Sequence, residues 1–153
     1  MGTWGITAFE DDTALAYYDE FCESEQSVDE LRAGIDEVLF KDYNMQDLLM
    51  EGFLEPLKAL VYCEIIAKVC GNSIDEFPDD EYHENMELSK IDMYAISNQL
   101  NETLIQKAID VVHKIKQDKN MHLTVLWFES DYFNDWQKYL ENLIVRLRCD
   151  TLL

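Results

Sequence analysis

The side chains that could do chemistry are few and scattered. Three histidines (His83, His113 and His122) and four cysteines (Cys22, Cys63, Cys70 and Cys149) occur in 153 residues. Structural zinc wants such ligands in closely spaced pairs, and none of these residues stands in CxxC or HxxxH spacing. Cys63 and Cys70 are seven apart on one predicted helix, roughly 10 Å by helical rise, which is too far for a disulfide. They read as reduced, buried thiols of a reducing compartment. The sequence contains no phosphate-binding glycine loop, no Gly-x-Ser-x-Gly elbow, no dinucleotide fingerprint and no DxDxDG calcium loop. A helical dicarboxylate metal site needs several inward glutamates with ExxH pairs, and Glu64 is the one good inward candidate. It projects beside Leu57, Leu60 and Val61 with Lys68 one turn on. Two readings stand: a Glu–Lys pair at i,i+4 on the edge of the core, or a buried functional carboxylate. No metal, cofactor or reaction is nominated, so the chain reads as a binding protein and not as an enzyme.

Charge says more than spacing does. The chain holds 32 Asp and Glu against 12 Lys and Arg, a formal net charge of −20. Phosphate contacts require cations, so nucleic acid is excluded as a partner, and anionic membrane surfaces are excluded with it. The excess is segregated. Residues 1–40 carry 11 acids and one base, residues 41–87 carry 12 and three, and residues 88–153 carry nine and eight. Such a field repels itself and opposes compaction. Its segregation points to a cationic protein partner, against the plainer reading of a merely soluble surface.

The elements that must position these charges are helices. Ala14, Leu15, Tyr18, Phe21 and Cys22 recur at helical spacing and predict a helix over 12–24, with Asp11 or Asp12 as its cap. Ser27-x-x-Glu30 is a capping box opening a second helix, whose stripe is Val28, Leu31, Ile35, Val38 and Leu39. The outward residues of this pair, Asp12, Asp19, Glu20, Glu23, Asp29, Glu30, Asp36 and Glu37, form an acidic surface. Residues 41–53 are ambiguous between short helix and loop. Pro56 suits the first turn of a third helix over 54–70, and Gly71 suits its end. That helix is apolar nearly all round and is expected at the centre. Lys58, Glu64 and Lys68 interrupt its apolar run, so it is not expected to span a bilayer. Residues 72–87 read as an acidic loop holding Asp75, Glu76, Asp79, Asp80, Glu81, Glu84 and Glu87. It is either a solvated connector or a recognition loop anchored by Phe77 and Tyr82. Further helices are predicted from 88–98, 99–117, 121–129 and 132–148, the last burying Tyr132, Trp136, Leu140, Leu143 and Leu147. The expected fold is all-α, a single-domain bundle of about six helices around 54–70. The start of the chain shows neither a basic region nor an apolar run of signal-peptide length, which places the expected location in the cytoplasm.

The opening Met1-Gly-Thr-Trp-Gly5, followed by Phe9, Asp11-Asp12 and Ala14, resembles a bacterial family known as domain of unknown function 4259. Glu64-Ile-Ile-Ala67 is similar to its A-E-V-V-A helix, and Leu123-x-x-Leu126-Trp127-x-Glu129 to its L-x-x-L-W-x-E segment. Trp136, Leu140, Leu143, Arg146 and Leu147 resemble its final helix. The chain departs from the pattern at Thr7 and at Met121-His122. The resemblance implies a helical fold and a bacterial source, and no activity. Trp4 and Phe9 are expected to dock the opening segment onto the bundle, with a ligand pocket around that segment as the other reading. Together these observations make the chain an expected immunity or antitoxin protein, covering the cationic surface of a basic toxin, most naturally a nuclease. The alternative is a housekeeping interaction domain or a small-ligand domain.

Overall fold

The computed structural model describes residues 5–43, 51–75, 77–78 and 91–148. These form seven helices: α1 (Asp12–Glu23), α2 (Val28–Leu39), α3 (Glu51–Val69), α4 (Met93–Gln99), α5 (Glu102–Gln117), α6 (His122–Phe128) and α7 (Phe133–Leu147). The fold is all-α. Each start has a local chemical cause where a short polar side chain precedes it. Asp11 accepts from the amides of Thr13 and Ala14, Asp92 from Ala95, and Asn101 from Leu104, each satisfying an otherwise orphaned helix N–H. Ser27 accepts from the Glu30 amide at 3.1 Å, whereas the Glu30 carboxylate takes the Ser24 hydroxyl at 2.8 Å.

α3 is the hub. Residues Ala59 through Ala67 are each at most 2% exposed, and all six other helices pack against it. Burying large aliphatic side chains such as Leu60, Ile65 and Ile66 contributes about 1.5–3 kcal/mol each, an upper bound against a compact unfolded chain. α3 ends as its sequence predicts. Gly71 adopts φ +91, its amide reaches Lys68 O, and the Asn72 amide reaches Ala67 O at 2.9 Å. This paired pattern closes the last turn and depends on glycine's access to the left-handed region.

The flanking helices are tied down by polar contacts as well as by core packing. Lys114 on α5 donates to the carbonyls of Val38, Leu39 and Lys41, putting a cation on the negative end of α2. The buried Thr124 hydroxyl of α6 donates to Ile115 O at 2.6 Å. Trp127 of α6 stacks on Trp136 of α7 at 5.7 Å and 10°.

Several expectations are corrected. α3 begins at Glu51, so Pro56 lies in its second turn and not in its first. Tyr132 is 61% exposed, because it precedes α7 instead of sitting on its buried stripe. The helices expected from 88–98 and 99–117 correspond to α4 and α5, which the extended backbone of Leu100 separates. Cys22, Cys63 and Cys70 are free and buried, and burial pushes the Cys63 thiol well up, which removes thiolate character. Cys149 and Trp4 lie outside the described residues. Among the described residues no helix is long and apolar enough to cross a membrane.

The α2–α3 contact is close enough to test. A Cβ built on Gly34 would stand 2.4 Å from the Tyr62 ring, and Tyr62 is 2% exposed with no room to retreat. Gly34→Ala is expected to lower stability by about 1–3 kcal/mol through overpacking, despite alanine's better helix propensity. Urea denaturation of the two proteins measures the sign: a variant as stable as the parent would show that this contact is not tight.

Candidate functional site

The inward residues of α1 and α2 decide which acids face water. Ala14, Tyr18, Phe21 and Cys22 bury one side of α1, and Val28, Leu31, Ile35 and Val38 one side of α2. Asp12, Glu20, Glu23, Asp29 and Glu37 are left exposed, while Asp19, Glu30 and Asp36 are partly buried. Not all of this charge is available. Asp29 is bound by Arg32 at 2.5 Å, and Asp36 by Lys107 of α5 at 3.1 Å.

Three of the others, Glu20, Glu30 and Glu37, bear on the α1–α2–α3 junction. Burial raises the Tyr62 hydroxyl pKa, and the charges of Glu30, Glu20 and Glu37 raise it further. Tyr17 is raised in the same way by burial, then by Glu20, Asp11 and Glu37. Carboxylates from both helices therefore act on one pair of tyrosines, with Lys58 lying 5.7 Å from both ring centroids. Beside them Glu55 receives Lys41 at 3.2 Å and the Tyr43 hydroxyl at 3.0 Å. Glu37 is raised by burial, then by the charge of Glu55 and a hydrogen bond to it, with Lys58 and Lys41 pulling the other way.

The 72–87 stretch is only partly on view. Asp75 is exposed. Phe77, expected as a surface anchor, is instead 7% exposed, with its ring 4.9 Å from Phe9 and 5.3 Å from Tyr18. Three aromatic rings from distant segments meet edge to face there, and that burial outweighs the acidic neighbourhood of Phe77 in the sequence. Glu76, Asp79, Asp80, Glu81, Tyr82, His83, Glu84 and Glu87 lie outside the described residues.

Glu64 is fully buried, and its partner is not Lys68. Arg146 of α7 grips both carboxylate oxygens, Nη1 to Oε1 at 2.6 Å and Nη2 to Oε2 at 2.9 Å. The Tyr139 hydroxyl donates to Oε2 at 2.6 Å. Arg146 also reaches Asn142 Oδ1 at 2.6 Å and Asn72 O at 3.3 Å. Lys68 instead lies over the Phe77 ring at 5.1 Å. These bonds clamp α7 to α3 through Glu64. Among the described residues no group of His, Cys, Asp and Glu could hold a metal ion.

Two outcomes follow from these contacts. Because Glu37 is raised from 4.5 in the folded state, its charge lowers stability as pH rises through its folded pKa, and the effect vanishes below its unfolded pKa. Glu37→Gln is therefore expected to raise the melting temperature at pH 7 and to leave it unchanged near pH 4; an equal gain at both pH values would refute the linkage. For the clamp, Arg146→Met leaves a buried carboxylate uncompensated and is expected to cost about 3–5 kcal/mol. Tyr139→Phe removes one hydrogen bond and is expected to cost about 1–3 kcal/mol. Denaturant melts of both variants would contradict this order if the arginine proved the cheaper loss.

Comparison with known proteins adds a family and nothing further. No curated protein and no solved structure matches the chain. The family model described as domain of unknown function (DUF4259) matches residues 2–139, a span that takes in α1 to α6 and the first half of α7, through Tyr139. The chain belongs to the domain of unknown function 4259 family.

Proposed function

We propose that this is a cytoplasmic binding domain for a cationic protein, acting as an immunity or antitoxin protein that neutralises a basic bacterial toxin. A nuclease is the toxin class that fits best, because an enzyme acting on a polyanion presents the basic surface that carboxylates can cover. One observation carries the reading. Glu20, Glu30 and Glu37, from two helices, bear on the same junction, and on α1 and α2 the one basic residue, Arg32, is held by Asp29. Charge arranged in this way speeds encounter with an opposite surface and fixes its register. The rigid backing of α3 presents it without rearrangement, so little ordering cost opposes binding. Asp75 and the rest of the 75–84 stretch extend the same sign of charge along the sequence.

The test is co-purification at low salt from the native bacterium, followed by expression of any stoichiometric basic partner alone and together with this chain. The expected partner is toxic alone and silent in the complex. Combined Glu20→Gln, Glu23→Gln and Glu37→Gln is expected to slow association by about 10- to 100-fold at low salt and by much less at high salt, as screening predicts. Absence of a stoichiometric basic partner, or a partner harmless on its own, overturns the proposal and leaves a housekeeping role for the acidic surface.

A further inference from the structure

A cavity of about 200 Å³ opens between the residues leading into α1, the first half of α3 and the corner where α6 meets α7. Leu57 and Leu60 of α3, Leu123 and Trp127 of α6, and Trp136 of α7 form most of its wall. A dry, engineered cavity of about 150 Å³ already takes benzene, so the space suits one ring or branched hydrocarbon with a short arm.

Thr7, Asp11 and Ser130 break the apolar character of the lining. Asp11 is 6% exposed and is the only charged side chain among the described residues that line the cavity. Its Oδ1 is fixed by the Thr13 and Ala14 amides at 2.8 and 3.1 Å, so the carboxylate cannot swing away to water. The sequence neighbours of two lining residues carry the same sign. Asp12 follows Asp11 and is exposed, and the exposed Glu129 and Asp131 flank Ser130, which also lines the space. No lysine, arginine or histidine is among the described lining residues. Among the described lining residues a carboxylate or phosphate ligand would meet a like charge and no cation. An amine would meet a carboxylate held in place, and a charge-assisted hydrogen bond to it favours a cation.

We propose that this cavity is a binding site for a small amine carrying an aromatic or branched apolar group, with the hydrocarbon against the leucines and indoles and the ammonium toward Asp11. The site does not rest on the partner-binding reading, since the acids invoked there are Glu20, Glu30 and Glu37.

Three probes of one size separate the contributions: 2-phenylethylamine, 2-phenylethanol and phenylacetate, titrated by calorimetry with tryptophan fluorescence as a second readout. The amine is expected to bind saturably and one to one, at least about tenfold more tightly than the alcohol, with no binding by the acid. Asp11→Asn keeps an oxygen for the two amides and removes the charge. It is expected to weaken the amine about tenfold and to leave the alcohol unchanged. Leu123→Phe fills the space and is expected to abolish binding of both; a thermal melt confirms that each variant is folded. Equal binding of amine and alcohol, an Asp11→Asn variant that retains full amine affinity, or no saturable binding of any probe up to about 10 mM would each overturn the proposal.

Discussion

The structure depends on a helix that cannot face water. α3 is buried on every side through its central turns, so the other helices are arranged as its cover, and each of the six touches it. One charge lies in that buried stretch. Glu64 is tolerable there because Arg146 and Tyr139 together satisfy both of its oxygens. An ion pair of this kind adds little net stability over a well-packed apolar substitute, but losing one partner is costly. Its consequence is registry. Only one placement of α7 along α3 brings the guanidinium and the phenol to the same carboxylate, and that placement also aligns Trp136, Leu140, Leu143 and Leu147 with the core. Burial moves Tyr139 well up, with the charge of Glu64 reinforcing the shift and a backbone hydrogen bond from Ala8 opposing it. The segment ahead of α1 is thereby drawn into the same contact.

The scarce cations are distributed so that the acidic half is held by the near-neutral half. Lys107 of α5 reaches Asp36, Lys114 caps the end of α2, and Arg146 of α7 holds Glu64. The division in the sequence, acids early and bases late, becomes a division of labour in space. α5 and α7 supply cations to fix the frame, and α1 keeps exposed carboxylates, Glu20 and Glu23 among them. Burial lowers the Lys114 pKa while Asp118 and Asp42 raise it, as expected for an ammonium drawn onto backbone carbonyls in a strongly negative molecule.

Local signals made most of the fold legible. Apolar stripes at 3.6-residue spacing placed α1, α2, α5 and α7, and the caps Asp11 and Ser27 and the terminator Gly71 act through neighbours within a few residues. What escaped the sequence depends on distance along the chain. Lys68 stands at the ideal local spacing to pair with Glu64, yet Arg146, 82 residues away, takes the carboxylate, because a planar guanidinium can fill both oxygens at once. Phe77 sits among acids and reads as exposed, but Phe9 and Tyr18 build a socket for it from elsewhere. On the acidic face, the sign of the charge was legible and its availability was not. Nothing local distinguishes Asp36, held by α5, from Glu20, which is not. The cavity is the extreme case, since its wall joins residues near positions 6–11, 57–60 and 123–136.

The two candidate surfaces share one fold, and the exposed carboxylates of the acidic junction are not what sets the shape of either. The acidic junction is backed by apolar contacts: Phe21 against Tyr62 at 5.7 Å, and the close approach of Gly34 to the same ring. Its carboxylates can therefore be engaged or neutralised without loosening α1 or α2. The cavity is framed by α3, α6 and α7, whose relative positions are set by the Thr124 hydroxyl, the tryptophan stack and the Glu64 clamp. Asp11, the one charged group among its described lining residues, also starts α1, and there the two regions touch. A cation bound beside Asp11 would reduce the negative field at the head of α1. By linkage, it would weaken any binding that depends on that field, and a cationic partner would weaken the amine in equal measure.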